Sequence, residues 1–191
     1  WGTWFDCEPG TNPGFLYQQN TMRDAMVAAL TLDILGSHCD RVVMANIAQM
    51  VNVLQAVILT DGAKMICTPT YHVFDLYKAH HDANYLPSAI TCGECSGVKQ
   101  LTATASEKEG VITLTATNTS CTDALDVVVH LSGASAKNVT ARILTGDMHD
   151  KNTFEDAEKV TVKPFDAVRV TETGLNMTLP ACSVVEVTIR G

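Results

Sequence analysis

The spacing of hydrophobic and polar residues changes along the chain near residue 85. Over residues 21–35 and 70–81, apolar side chains recur every three or four positions, which predicts two helices. Beyond residue 85, apolar and polar residues alternate over 111–118, 125–131, 175–179 and 185–189, which predicts short strands. We therefore expect two domains, with residues 1–85 forming an α/β part and residues 86–191 forming an all-β part.

Residues 41–45 form a short run that is almost wholly apolar, with Val42 and Val43 adjacent. Such a run predicts a strand buried on both faces, as in a parallel sheet that is covered by helices. We interpret residues 1–5 as the end of an earlier strand, so the order strand, loop, helix, strand indicates an α/β alternation. Residues 56–60 and 63–68 are expected to be extended and joined at an Asp61-Gly62 turn.

Three amides, Asn46, Gln49 and Asn52, follow the predicted strand at intervals of three residues. On a helical turn this spacing places all three on one face. The carboxyl ends of buried parallel strands are where α/β folds place their ligands. The alternative is that the amides cap and orient the start of a helix, which is a common role of Asn. Spacing alone leaves both interpretations open and favours capping.

The alternating strands of the second part predict an antiparallel β-sandwich or jelly roll. Along residues 125–131 the odd-numbered positions are apolar, so they should face the core, whereas Asp126 and His130 should face the other way. Turn-forming residues at 106–110, 132–133 and 173–174 separate the strands. The fold class expected for the whole chain is therefore α/β followed by all-β.

Composition and charge narrow the possible partners. The chain has 191 residues, of which 46% are hydrophobic, and a formal net charge of -8. An acidic surface argues against nucleic acid and anionic membranes as partners, because both bind basic patches. No apolar run reaches the length of a membrane span. The sequence opens on Trp1 with no initiator methionine and no signal peptide, so we expect further residues to precede it in the natural protein.

Seven cysteines cannot all pair within one chain. They lie mostly among apolar neighbours, so we expect buried, reduced thiols in a cytoplasmic protein rather than a secreted one. Cys92 and Cys95 have the spacing of a metal knuckle or a redox pair. A second such pair and a histidine at finger spacing are both missing, so no metal site or cofactor is predicted.

Three longer stretches resemble a known family. Residues 1–25 read WGTWFDCEPGTNPGFLYQQNTMRDA, residues 39–55 read CDRVVMANIAQMVNVLQ, and residues 67–74 read CTPTYHVF. Together they resemble the C-terminal part of the α-L-arabinofuranosidases of glycoside hydrolase family 51. The resemblance implies the end of a (β/α)8 barrel, with residues 1–5 closing the seventh strand, 21–35 forming the seventh helix and 41–45 the eighth strand. A C-terminal β-sandwich should follow.

The resemblance also implies a reaction and the residues that serve it. The family removes terminal α-L-arabinofuranosyl groups from polysaccharides and oligosaccharides with retention, which needs a nucleophile and an acid/base carboxyl group. The nucleophile Glu is expected just before Trp1 and the acid/base Glu further upstream, so this sequence holds no catalytic residue. Trp4 is expected to supply an apolar wall to arabinose, and Gln49 to hydrogen-bond its hydroxyls. Full-length relatives are expected to form homo-oligomers.

Two other hypotheses stay open from the sequence. The second part could be a non-catalytic carbohydrate-binding or assembly module, or the chain could be a fragment with no independent role. A binding module would be favoured by an aromatic platform. Residues 87–191 contain only Phe154 and Phe165 as aromatics, with no Trp or Tyr. Sugar binding by that part is therefore disfavoured.

Overall fold

The computed structural model describes residues 1–6, 9–14 and 18–191, and within them the chain is mostly β-sheet with few helices. The helices are α1 (Met22–Ser37) and α2 (Pro69–Tyr77), and a 3-10 turn (Lys78–His80) follows α2. The strands of the described residues are β1 (Ile58–Asp61), β2 (Lys64–Cys67), β3 (Asn84–Tyr85), β4 (Glu94–Cys95), β5 (Val98–Lys99), β6 (Leu101–Lys108), β7 (Val111–Asn118), β8 (Leu125–His130), β9 (Asn138–Thr145), β10 (Lys163–Pro164), β11 (Val168–Thr171), β12 (Gly174–Leu179) and β13 (Ser183–Arg190).

Helix α1 begins at a capping box, as the sequence predicted. The backbone N–H of Thr21 donates to the Asp24 carboxylate at 2.8 Å, which satisfies a donor that the helix itself leaves unpaired. Met22, Ala25 and Ala29 are fully buried on one face of the helix. The helix runs two residues beyond the predicted end, because Gly36 continues the helix through Ser37 before His38 closes it.

Helix α2 begins with Pro69 at its first position, where the missing N–H costs nothing. The Thr68 hydroxyl caps it by accepting from the backbone N–H of Tyr71 at 3.4 Å. The predicted helix over 70–81 is confirmed in its first part, and its last turn tightens into the 3-10 turn. The predicted hairpin is also confirmed, with β1 paired to β2 across a turn in which Gly62 has a φ of 57°.

Two larger antiparallel sheets make up most of the remaining fold, and β4 and β5 pair in a separate two-stranded sheet. The first has the strand order β10-β9-β13-β7-β6-β3, and the second has the order β11-β12-β8. Strand β13 lies between β7 and β9, so that Ser183 is opposite Asn118 on one side and Thr145 on the other. The four strands predicted from alternation correspond to β7, β8, β12 and β13, and their existence is confirmed.

The six-stranded sheet has apolar side chains on both faces. Leu144 and Val184 belong to one buried cluster with the helices α1 and α2. Ile143 and Val185, one position along in sequence, belong to a second cluster with β8 and β12 of the three-stranded sheet. Because successive side chains of a strand point to opposite faces, β13 separates the two cores. The two sheets share a core, while the sandwich and its jelly-roll arrangement stay predictions.

The buried strand predicted over residues 41–45 is not formed in this chain. Residues 42–47 have no regular secondary structure, and the side chains of Val43 and Met44 are 94% and 71% exposed. A strand persists only where a neighbour pairs with its backbone N–H and C=O groups, and the described part of the chain supplies no such neighbour here. The helical turn expected to carry Asn46, Gln49 and Asn52 is also absent from residues 46–52. Residues 1–6 also lie outside any strand.

The expectation of buried cysteines is largely wrong. Among the six cysteines that the structure describes, Cys182 alone is buried; Cys39, Cys95 and Cys121 are exposed. Cys7 lies outside the described residues, as does Glu8. The proposed boundary between residues 1–85 and 86–191 stays a prediction, and the short strand β3 at this boundary already pairs with β6.

Candidate functional site

Trp4 lies in an N-terminal segment, residues 1–6, that hydrogen bonds hold against the rest of the fold. The carbonyl oxygen of Thr3 accepts from the side-chain amides of Gln18, at 2.8 Å, and Gln55. The backbone N–H of Phe5 donates to Oε1 of Gln18 at 3.1 Å. The backbone on both sides of Trp4 is therefore fixed, while the indole itself is 70% exposed.

Side-chain contacts anchor the same segment at both of its ends. The ring of Trp1 stacks on Phe74 of α2, with centroids 6.2 Å apart and planes inclined by 16°. The guanidinium of Arg23 lies over the ring of Phe5, with Cζ 3.1 Å from the centroid. Such a cation–π contact adds to the hydrogen bonds in holding the segment. The segment thus presents Trp4 outward from a supported backbone.

Gln49 lies in the irregular stretch that replaces the predicted strand and helix. Its side chain is exposed. The next residue, Met50, is tied to the β1 end of the hairpin, because its carbonyl oxygen accepts from the N–H groups of Val57 and Ile58 at 3.0 and 3.1 Å. Gln49 is thereby placed beside a fixed point of the backbone.

Asn52 has a structural role, as expected for it. Its side-chain amide donates to the hydroxyl of Thr60 at 2.8 Å and accepts from the N–H of Thr60 at 2.7 Å. Its φ of 57° lies in the left-handed region, which Asn tolerates better than most residues. Together with a parallel β-bridge between Val51 and Ile58, these bonds tie the stretch to β1.

Gln55 joins the two stretches that carry Trp4 and Gln49. It is only 5% exposed, and its amide donates to the Thr3 carbonyl oxygen. A Cβ atom added at Gly2, whose φ is 123°, would lie 2.6 Å from Cγ of Gln55, so only glycine fits there. Sequence reasoning missed both Gln18 and Gln55. Their one signal was position, since Gln18 stands shortly before a predicted helix cap and Gln55 directly follows the apolar pair Val53 and Leu54.

The structure thus holds the segments of Trp4 and Gln49 together through Gln55 and leaves both side chains exposed. Their roles as arabinose contacts stay predictions. Asp6, which the sequence analysis assigned no catalytic position, is exposed. Within residues 1–6, 9–14 and 18–191 the structure contains no group of three or more His, Cys, Asp or Glu side chains placed to hold a metal ion. The described helices are all too short or too polar to cross a membrane.

A buried carboxyl group, Asp33, has a strongly shifted pKa but lies away from these segments. Its oxygens accept from the hydroxyls of Thr102, Thr104 and Tyr77 at 2.6, 2.7 and 2.8 Å. Burial raises the pKa of Asp33 to about 6, although the three hydroxyl donors act in the opposite direction. Because the group joins α1 to α2 and β6 inside the protein, we interpret it as structural.

His80 is a second buried polar contact between the helices and the sheet. Nδ1 lies 2.7 Å from the hydroxyl oxygen of Ser106, and Nε2 lies 3.1 Å from that of Thr115. Burial, with a smaller contribution from the nearby His81, lowers the pKa of His80 to about 4. A neutral imidazole between two hydroxyl groups suits a packing role.

A shallow depression of about 480 Å³ lies on the outer face of the three-stranded sheet. Its lining includes Asp126, Arg169, Asn176 and Thr178, and it contains no aromatic side chain. The Thr178 hydroxyl donates to the Asp126 carboxylate at 2.6 Å, so part of its polar surface is already paired. The depression lies on different elements from Trp4 and Gln49 and lacks the ring that a sugar platform uses.

Comparison with known proteins decides the family. The model of the α-L-arabinofuranosidase C-terminal domain matches residues 1–183. The chain belongs to this family. The match covers both the helical part and the all-β part. A single family model therefore spans the two domains that the sequence predicts.

Named relatives of the chain agree with this assignment. The chain is 45% identical to an intracellular exo-α-L-arabinofuranosidase of Bacteroides ovatus over the whole chain and 38% of that protein. The crystal structure of the family 51 arabinofuranosidase from Xanthomonas axonopodis pv. citri superposes with a TM-score of 0.91 at 44% identity, covering all of this chain and 40% of that one. A family 51 enzyme from Bifidobacterium longum has a TM-score of 0.85 at 28% identity and the same coverage. The chain therefore spans about two fifths of these relatives.

Proposed function

We propose that this chain is the C-terminal part of a retaining glycoside hydrolase that releases terminal α-L-arabinofuranosyl groups from arabinose-containing polysaccharides and oligosaccharides. The observation that carries the proposal is the 45% identity, along the whole chain, to a protein named as an exo-α-L-arabinofuranosidase. The fold agrees, since the described backbone superposes on a family 51 enzyme with a TM-score of 0.91.

Residues 1–85 are proposed to complete a (β/α)8 barrel, and residues 86–191 to form a jelly-roll-like sandwich. The exposed apolar side chains of Val43, Met44 and Met50 support the first part of this proposal. Exposed apolar surface of this kind usually marks an interface. Upstream barrel strands of the same polypeptide would cover it and pair with residues 41–45. The shared core of two antiparallel sheets supports the second part.

Trp4 and Gln49 are proposed to contact the arabinose ring. An indole face offers an apolar wall to a furanose, and a primary amide can donate and accept hydrogen bonds at once. Both side chains are exposed, and both stand beside backbone that is held by Gln55 or Met50. A supported backbone with outward side chains is what a binding wall needs.

The catalytic pair is proposed to lie upstream of this sequence. Retention requires two carboxyl groups about 5 Å apart, one of which forms a glycosyl-enzyme that water then hydrolyses with the help of the other. We propose a Glu immediately before Trp1 as the nucleophile and a Glu further upstream as the acid/base. Asp6 and Glu8 are assigned neither role.

The proposed setting is an intracellular enzyme that forms homo-oligomers when complete and binds neither nucleic acid nor membranes. The name of the Bacteroides ovatus relative supports the intracellular location. The formal charge of -8 supports the absence of nucleic acid and anionic membranes as partners. The depression on the three-stranded sheet, which lacks aromatic side chains, gives no support to a separate sugar-binding module.

The proposal is tested by assaying two lengths of the protein on an aryl α-L-arabinofuranoside. The 191 residues alone should show no turnover, because neither proposed carboxyl group is present. The protein extended upstream should hydrolyse the substrate and release the sugar first as the α-anomer, which proton NMR detects. Turnover by the 191 residues would contradict the upstream location of the catalytic pair. Inversion at the anomeric carbon would contradict the retaining mechanism.

A further inference from the structure

Two cysteines meet where β7 leaves the six-stranded sheet and β13 enters it. The pairing of Asn118 with Ser183 places the chain that follows β7 beside the chain that precedes β13. The backbone N–H of Cys182 donates to the carbonyl oxygen of Ser120 at 2.8 Å. Cys121 is the next residue after Ser120, so the backbones of Cys121 and Cys182 are held as neighbours although 61 positions separate them in sequence.

The two side chains lie on adjacent backbone but differ in exposure. The Cys121 thiol is near enough to the Cys182 thiol to influence its pKa. Cys121 is exposed, whereas Cys182 is only 2% exposed. Cys182 has a φ of 45°, which is uncommon for a residue with a side chain, and the ladder of β13 begins at the next residue. The buried thiol is therefore held in place by ordered backbone.

The difference in exposure sets the order in which the thiols would react. Burial raises the pKa of Cys182 to about 11, and the neighbouring Cys121 and Asp147 add to the rise. A thiolate, not a thiol, is the nucleophile in disulfide exchange. The exposed Cys121 is thus the thiol that a reagent from solvent meets first, and Cys182 is placed to resolve the product.

We propose that Cys121 and Cys182 form a reversible dithiol/disulfide site that is oxidised by a low-molecular-weight disulfide such as glutathione disulfide. The Cys121 thiolate attacks one sulfur of glutathione disulfide, which releases one glutathione thiolate and leaves a mixed disulfide. Cys182 then loses its proton to solvent and attacks the Cys121 sulfur, which releases the second glutathione. Two protein thiols are oxidised and one glutathione disulfide is reduced to two glutathione molecules, so atoms and electrons balance.

The cross-link would close a long loop that contains β8 to β12. Constraining such a loop restricts the unfolded chain and stabilises the folded one. Oxidation should therefore raise the melting temperature by about 5–10 °C. The pair that is close in sequence, Cys92 and Cys95, differs. The Cys92 thiol donates to the carbonyl oxygen of Leu101 at 3.7 Å, while Cys95 is exposed on β4.

The test uses the full-length protein that carries these residues, treated with glutathione disulfide, alkylated and digested without reductant. Mass spectrometry should find peptides containing Cys121 and Cys182 joined by a disulfide, and dithiothreitol should remove the link. Cys121→Ser should abolish both the link and the rise in melting temperature. Cys95→Ser, a matched change at another exposed cysteine, should leave both unchanged.

Three results would overturn the proposal. The first is glutathione attached to Cys121 with no link to Cys182. The second is a link from Cys121 to a different cysteine, and the third is loss of the link in Cys95→Ser. The decisive variant changes the exposed Cys121 rather than the buried Cys182, so its effect can be separated from a failure to fold.

Discussion

The amides of residues 46–55 are used in two different ways. Asn52 is bonded to Thr60, and Gln55 is bonded to the carbonyl oxygen of Thr3. Gln49 and Asn46, which precede these two anchored positions, are exposed. At the scale of single residues, the structure thus commits two amides to holding the backbone and leaves the other two facing solvent.

Replacing Gln49 by Ala in the upstream-extended protein should lower kcat/KM on an aryl α-L-arabinofuranoside by roughly 10- to 100-fold. A lost hydrogen bond that leaves a sugar hydroxyl unpaired in the site costs about 1–3 kcal/mol, and each 1.4 kcal/mol is a factor of ten. Steady-state kinetics measure the effect. Asn46→Ala, an exposed amide in the same stretch, is the control and should leave kcat/KM unchanged. Equal kinetics for Gln49→Ala and the natural protein would remove Gln49 from the site.

The contact between the helices and the six-stranded sheet depends on Asp33, which links three elements. The carboxyl group belongs to α1, and its hydroxyl donors belong to α2 and β6. Its pKa is raised by burial to about 6 from an ordinary value of 3.8. Since the folded pKa is the higher one, the stabilising contribution of the neutral carboxyl is complete below about pH 3.8. It is lost as the pH rises through 6.

Asp33→Asn should remove this pH dependence. Relative to the variant, the free energy of unfolding of the natural chain should fall by roughly 2–3 kcal/mol between pH 4 and pH 7, because each unit of pKa shift corresponds to about 1.4 kcal/mol. Urea unfolding at several pH values measures the difference. A difference that stays constant from pH 4 to pH 7 would show that the pKa of Asp33 is not raised in the folded protein.

Asp75→Asn provides a control of opposite sign. Burial acts to raise the pKa of Asp75, but its hydrogen bonds and ion pairs with Lys78 and Arg142 lower it below the ordinary value. The stabilising contribution of the ionised Asp75 is therefore lost only as the pH falls below about 3.8. The difference between the natural chain and this variant should stay flat from pH 5 to pH 7.

Elements differ in how well their sequences predicted them. Strand β7 was predicted with its observed ends, because strict alternation of apolar and polar residues has one structural interpretation. Strand β9 was not predicted, since Arg142 stands in its middle. The guanidinium is stabilised there by Asp75 at 2.9 Å and by Glu186. Asp75 belongs to α2 and Glu186 belongs to β13. The ion pairs that stabilise a charged residue inside a strand are therefore visible only in the folded structure.

At the scale of the whole molecule, the exposed apolar side chains follow the stretches for which an upstream partner is proposed. Val43 is 94% exposed in residues 41–45, where the sequence alone predicted a buried strand. The apolar sequence predicts that Val43 is buried, whereas in this chain it is exposed. Both observations are explained if the strands that cover Val43 belong to the rest of a longer polypeptide. Val128, by contrast, is exposed on the outer face of β8, where alternation predicts exposure.

Val43→Asp should separate the two lengths of the protein. In the 191 residues alone, the melting temperature should change little, since the side chain is already in water. In the upstream-extended protein, it should fall by about 5–10 °C, because burying an unpaired carboxylate costs several kcal/mol. Val128→Asp should be tolerated in both lengths. Differential scanning fluorimetry measures all four variants, and an unchanged melting temperature for extended Val43→Asp would contradict the barrel proposal.

The sequence by itself determined the two helices, the Asp-Gly hairpin, the strongest alternating strands and the family resemblance, because periodicity, caps and long motifs act through neighbouring residues. The tertiary structure decided which of these elements share a core, how Gln55 holds the segment of Trp4, and that Cys121 meets Cys182. It also decided that residues 41–45 stay unpaired in this chain. Each of these depends on contacts between residues far apart in sequence, and a strand in particular forms only where a partner supplies its backbone hydrogen bonds.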